Sequence, residues 1–163
     1  MQKLRIFHYP ENILRGKCQS VFEITPAEKE LFERMLYTMK RASGIGLAAP
    51  QVGIKKNIIV ADTGEGVIKL ANPQIIKVKG TDKLEEGCLS VPQATVKVVR
   101  PYEIVLAGIN EQGQEIELEA KGLLARVLLH EIDHLNGKLI VDYMNFLEKI
   151  KYKLDRHNQG EQG

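Results

Sequence analysis

Cysteine is scarce in this chain: Cys18 and Cys88 are the only two in 163 residues. A disulfide framework is therefore excluded, and one bridge is the arithmetical maximum. The opening MQKLRIFHYP has no apolar h-region, so no secretory signal is expected. A cytoplasmic setting with reduced thiols follows, and a reduced thiol is free to bind metal. Long apolar runs are missing too. The longest, such as IIVA at 58–61, fall far short of the roughly 20 residues that span a bilayer. No excess of one charge is present either: 23 Lys and Arg stand against 21 Asp and Glu, a net +2. Phosphate binding needs a concentrated basic face, so neither nucleic-acid specificity nor a membrane is expected. Repeats and long linkers are absent. What remains is ordinary for a globular protein, 44% hydrophobic and 27% charged. The length suits one domain over 1–163 with a real core.

The segment up to Phe22 is mixed and reads as irregular, with a turn signal at Tyr9-Pro10. Thr25-Pro26-Ala27-Glu28 then combines an N-cap, a proline at the first helical position and a capping-box glutamate. Leu31, Met35 and Met39, flanked by Phe32 and Leu36, form the buried stripe of that helix. Ser43-Gly44 ends it. GIGLAAPQVG, from 44 to 53, fits neither regular element. Strands are expected at 57–61, 74–79, 95–99, 103–107 and 115–119, the last two joined by a hairpin turn. Lys121-Gly122 breaks the last strand. Leu123 to Leu135 carries apolar residues at helical spacing, and Asn136-Gly137 supplies the stop. From about 145 to 163 the chain reads as a charged C-terminal helix fraying into HNQGEQG. These elements predict an α+β fold: mixed, mostly antiparallel strands around a central helix, with an early and a C-terminal helix.

The chemistry concentrates in LLHEIDHLNG, from Leu128 to Gly137. On a helix, His130 and His134 lie one turn apart on one face, so both imidazoles can reach one ion. Glu131 is turned about 100° from His130, beside a metal-bound water rather than on the metal. That is the mechanical basis of the H-E-x-x-H pattern. A tetrahedral site needs a third ligand. Downstream stand Asp142, Glu148, Asp155 and His157, none in the continuation expected of a zinc peptidase. Upstream, Cys88 sits in the Gly-flanked segment Glu85-Glu86-Gly87-Cys88-Leu89-Ser90. One thiolate and two imidazoles leave a fourth position for water, as catalytic rather than structural sites do. Taken alone, Cys88 reads as a small buried hydrophobe, and its pairing with the histidines is what makes it a ligand. Cys18 lacks such a setting and reads as structural or incidental. Two rivals stay open: a peptidase built on His130 and His134, and a module in which metal only staples the fold.

Three stretches together resemble the peptide deformylase family. They are Gly44-Ile45-Gly46-Leu47-Ala48-Ala49-Pro50-Gln51, Glu86-Gly87-Cys88-Leu89-Ser90 and His130-Glu131-Ile132-Asp133-His134. They match the family patterns G-x-G-x-A-A-x-Q, E-G-C-x-S and H-E-x-D-H, in order, in a likeness running from Tyr9-Pro10 to Asp142. One departure shows: Leu129 stands where the family usually has glutamine, which touches the surroundings of His130 rather than the ligands. The resemblance implies hydrolysis of the N-formyl group from the formylmethionine of new polypeptides. It implies Fe²⁺ as the native ion, replaceable by Zn²⁺, Ni²⁺ or Co²⁺. Glu131 would be the general base and acid, and the Gln51 amide with the Leu89 backbone N–H would face the oxyanion. Gly44, Ile45 and Gly46 would run alongside an extended substrate. Leu123 and Val127 share the face of His130, and with Ile45 and Leu84 they are the candidates for a methionine pocket. The charged tail, Glu148 to Arg156, is expected as a solvated face, with a transient ribosome contact as the alternative.

Overall fold

In the computed structural model, which describes residues 1–160, Ile58, Ile59, Val60 and Ala61 are all fully buried. A strand reads as an unbroken apolar run when both its faces are covered, and here a helix covers each face. The elements in chain order are α1 (Pro26–Arg41), β1 (Gly46–Ala48), β2 (Ile58–Asp62), β3 (Val67–Lys79), β4 (Asp82–Cys88), β5 (Val91–Arg100), β6 (Glu103–Ile109), β7 (Glu115–Lys121), α2 (Gly122–Leu135) and α3 (Phe146–Gly160). Five strands form an antiparallel sheet in the order β1-β2-β3-β6-β7, and β4 pairs with β5 separately. The fold is α+β, as expected.

The period of two along β2 sorts its side chains. Ile58 and Val60 join Phe32, Met35 and Met39 of α1 in one core. Ile59 and Ala61 join Ala125, Leu128, Leu129 and Leu135 of α2 in another. A third core lies between Val91, Ala94, Val96 and Val98 of β5 and the segment after α2, at Leu139, Ile140, Val141 and Met144. Thr25 caps α1 and forms the capping box with Glu28.

Several expectations need correction. The strand expected at 74–79 is the second half of β3, which begins at Val67. Its register shifts against β6 between Ala71 and Gln74 and again between Ile75 and Lys77, which hides the alternation. β4 escapes the sequence because only Glu86 on it is buried, so its polar composition carries no apolar period. GIGLAAPQVG contains β1 and a 3-10 turn at Ala49–Val52. The C-terminal helix expected from about 145 is α3, which continues through Gly160. The last three residues of HNQGEQG lie outside the described residues.

The N-terminal segment is irregular apart from a 3-10 turn at Asn12–Leu14, and it acts as a strap. The Phe7 N–H donates to the Gln51 carbonyl and the Tyr9 N–H to the Ser90 carbonyl, each at 2.8 Å. The Cys18 N–H donates to the Leu135 carbonyl at 2.9 Å. It thus touches the first two of the three stretches singled out in the sequence and the residue that follows the third. Among the described residues, no helix is long and apolar enough to cross a membrane.

Candidate metal centre

α2 presents His130 and His134 on one face, and their Nε2 atoms stand 3.2 Å apart. Cys88 arrives from the end of β4, its Sγ 3.3 Å from His134 Nε2. One donor atom from each of these three residues lies within 4.8 Å of the others. One sulfur and two imidazole nitrogens that converge from separate elements fit a divalent metal that takes soft and borderline ligands. Asp142, a rival ligand in the sequence, is engaged elsewhere by Arg15 at 2.6 Å.

His130 is held from behind, whereas the buried Nδ1 of His134 has no hydrogen-bond partner. His130 Nδ1 donates to Glu86 Oε2 at 2.9 Å, which orients the ring with Nε2 toward the sulfur. Glu86 also accepts from Arg100 Nε at 2.6 Å and Nη2 at 2.9 Å, and from Arg126 Nη1 at 2.8 Å. Burial alone would raise the Glu86 pKa, but the hydrogen bonds from Arg100 and His130 overcome it and hold the carboxyl at about 2. Asp133 accepts from Arg100 at 2.9 Å and from the Tyr143 hydroxyl at 2.7 Å. His134 is fully enclosed, and burial together with nearby His130 pushes its pKa well below the usual value. It is therefore neutral, the form a metal ligand must take. Gln51 is buried; its Oε1 accepts from the Ala48 N–H at 2.8 Å, and its Nε2 donates to Ser90 Oγ at 3.1 Å and approaches Cys88 Sγ at 3.7 Å.

Glu131 is buried, and its Oε2 has no hydrogen-bond partner. Burial pushes its pKa up to about 7, against the lowering effect of His130 and Arg100. Its side chain lies against the backbone of Gly46. A Cβ on Gly46 would collide with Glu131 Oε1 and stand 2.8 Å from Val127 Cγ1. The glycine in β1 therefore makes room for the carboxylate as well as leaving an open strand edge.

A cleft of ≈ 450 Å³ opens beside this group, between the Ser43–Gly46 backbone and the Glu85–Leu89 segment. Gly44, Ile45, Gly46, Gln51, Leu89, Leu123, Val127, His130 and Glu131, all singled out in the sequence, line it together with Cys88. His134 lies behind them. Leu84 is outside the lining, half-exposed on β4, because the cleft begins one residue later at Glu85. Leu129 packs into the core between α2 and the sheet, while Glu86, not a residue at 129, holds the ring of His130. Sequence reasoning quoted Glu86 and Asp133 only as motif residues, without their supporting roles, and missed Arg100 and Arg126 altogether. Their signal was charge in apolar company: Arg126 in LLARVLL and Arg100 closing VKVVR.

Three potential ligands with an open side toward a cleft fit a catalytic rather than a structural metal centre. A model of the family described as polypeptide deformylase matches residues 3–150. The chain belongs to that family of enzymes. It is 50% identical over 144 residues to the peptide deformylase of Halothermothrix orenii, covering 87% of this chain and 94% of that one. It is 47% identical over 154 residues to that of Hydrogenovibrio crunogenus, covering 93% and 91%. Among solved structures, the Thermotoga maritima peptide deformylase superposes with TM-score 0.86 at 39% identity, covering 89% of this chain and 99% of that one. The Synechococcus elongatus peptide deformylase in complex with actinonin gives 0.88 at 40%, covering 94% and 85%.

Proposed function

We propose that this protein removes the formyl group from the N-terminal formylmethionine of newly made polypeptides, releasing formate and a free amino terminus. The observation that carries the reading is the convergence of Cys88 Sγ with the Nε2 atoms of His130 and His134 beside the buried, unpartnered Glu131. Cys88, His130 and His134 would hold one divalent ion. Fe²⁺ is the proposed resident on the family resemblance, and the donor set also takes Zn²⁺, Ni²⁺ or Co²⁺. When bound, such an ion polarises the formyl carbonyl and acidifies water.

The remaining work belongs to the chain's own groups. Glu131 takes a proton from the attacking water and returns it to the departing amine. The Gln51 amide and the Leu89 backbone N–H donate to the oxygen that becomes negative, each such donor being worth roughly 3–4 kcal/mol in the transition state. β1 is an edge strand of its sheet, so Gly44, Ile45 and Gly46 can pair with an extended substrate main chain. Leu123 and Val127, with Ile45, offer apolar surface to the methionine side chain. Nascent chains imply a cytoplasmic setting and a transient ribosome contact. Exposed Phe146, Leu147 and Leu154 on α3 support such a contact.

Formate release from a formyl-Met peptide by metal-replete protein tests the reading. Release is expected, with no cleavage of the unformylated peptide. Cys88→Ala should lose the metal, and Glu131→Ala should keep the metal and lose turnover. Internal cleavage of the unformylated peptide would instead establish a peptidase.

A further inference from the structure

The hairpin of β4 and β5 carries Cys88, yet it is hydrogen-bonded to no strand of the sheet that underlies α2. The sulfur and the two imidazoles therefore ride on different pieces of the molecule. Side chains that bridge the pieces must help set the distance between them. Arg126 is such a bridge. It stands on α2 one turn before His130 and is buried. Its Nη1 donates to Glu86 Oε1 at 2.8 Å and to the Val98 carbonyl at 2.9 Å. Its Nη2 donates to the Asp82 carbonyl at 2.9 Å. One planar guanidinium thus grips both strands of the hairpin, a task for a rigid fork of donors that a point charge performs poorly. Glu86 passes the constraint on, since the same carboxylate orients His130. Arg126 also borders the cleft, but its hydrogen bonds all go to the hairpin.

We infer that Arg126 is a positioning residue that docks the Cys88-bearing hairpin onto the histidine-bearing helix and so sets the ligand geometry for the ion. The inference rests on the metal-site reading above. It is tested with Co²⁺ on the full chain, through equilibrium affinity by chelator competition and through the near-ultraviolet thiolate-to-cobalt band. The parent should show the band, and Cys88→Ala should lose it. Arg126→Met should bind Co²⁺ about 10- to 100-fold more weakly, as loss of a ligand's support does, with a diminished band at saturation. Arg126→Lys should fall between the two. Met35→Ala, in the α1 core across the sheet, should lose thermal stability and keep its affinity within about twofold. A parent without the band sinks the metal-site reading. A parent with it, and an Arg126→Met variant within about twofold of parental affinity, sinks the role of Arg126 alone. Equal weakening in Met35→Ala does the same. Should Arg126→Met fail to fold by circular dichroism, Arg126→Lys decides on the same twofold criterion.

Discussion

At Glu131 burial without a hydrogen-bond partner carries a stability cost. A buried carboxylate without a partner is costly while ionised and costs little once protonated. Its pKa of about 7 lies above the usual carboxylate range, so the folded metal-free protein binds a proton that the unfolded chain has released. Stability contributed by that proton is present at low pH and is lost as pH rises from about 4.5 to about 7. Metal-free Glu131→Gln should therefore unfold at a higher temperature than the parent at pH 8, by roughly 3 kcal/mol of stability. The gap should close near pH 4, while metal-loaded Glu131→Gln should show no formate release at any pH. Thermal melts at the two pH values, beside the formate assay, check both halves. Gly46→Ala probes the same carboxylate from the other side. The added methyl collides with Glu131 Oε1, so turnover should fall about 100-fold or more, as misplacement of a catalytic group by ~1 Å does, with metal content retained by elemental analysis.

At the scale of elements, α1 needs its cap. Thr25→Ala removes half of the capping box and should cost about 1 kcal/mol, or a Tm lower by about 2–4 °C. Glu28 serves the cap and also receives Lys56. The Lys56 hydrogen bond, then that from Thr25, pulls its pKa down to about 2. A depressed carboxyl stabilises the fold above its unfolded pKa and loses that contribution as pH falls toward the folded value. Glu28→Gln should thus melt below the parent at pH 7, and the difference should vanish between about pH 4.5 and pH 2. The cap was legible because its signal is local: four adjacent residues suffice. β4 was not, because its partners are two cations from β5 and α2, and nothing in DKLEEGC reveals them.

For the molecule as a whole, the strap from Phe7 to Cys18 joins elements that are remote in sequence. It meets the turn after α2 at Gly137, where φ is +73° and a Cβ would collide with the backbone of Gly16. Gly137→Ala should cost at least 1–2 kcal/mol for the left-handed backbone alone, and more as the strap is forced away. Thermal unfolding measures the cost, and faster proteolysis within residues 7–18 would locate it. Arg15 secures the same contact, donating to the Gly137 carbonyl at 3.0 Å.

The sequence by itself singled out Cys88, His130 and His134 as candidate metal ligands, since helical periodicity puts the two histidines on one face and, of the two cysteines, only Cys88 lies in a Gly-flanked segment. It likewise determined both main helices, whose caps and stripes are written in neighbouring residues. Only the tertiary structure decided what holds that set in place: Glu86 clasped by Arg100 and Arg126, Gly46 cleared for Glu131, Leu84 left outside the cleft. Those outcomes depend on which surfaces meet across long separations in the chain, and a buried charge declares its partner only when the packing that desolvates it has formed.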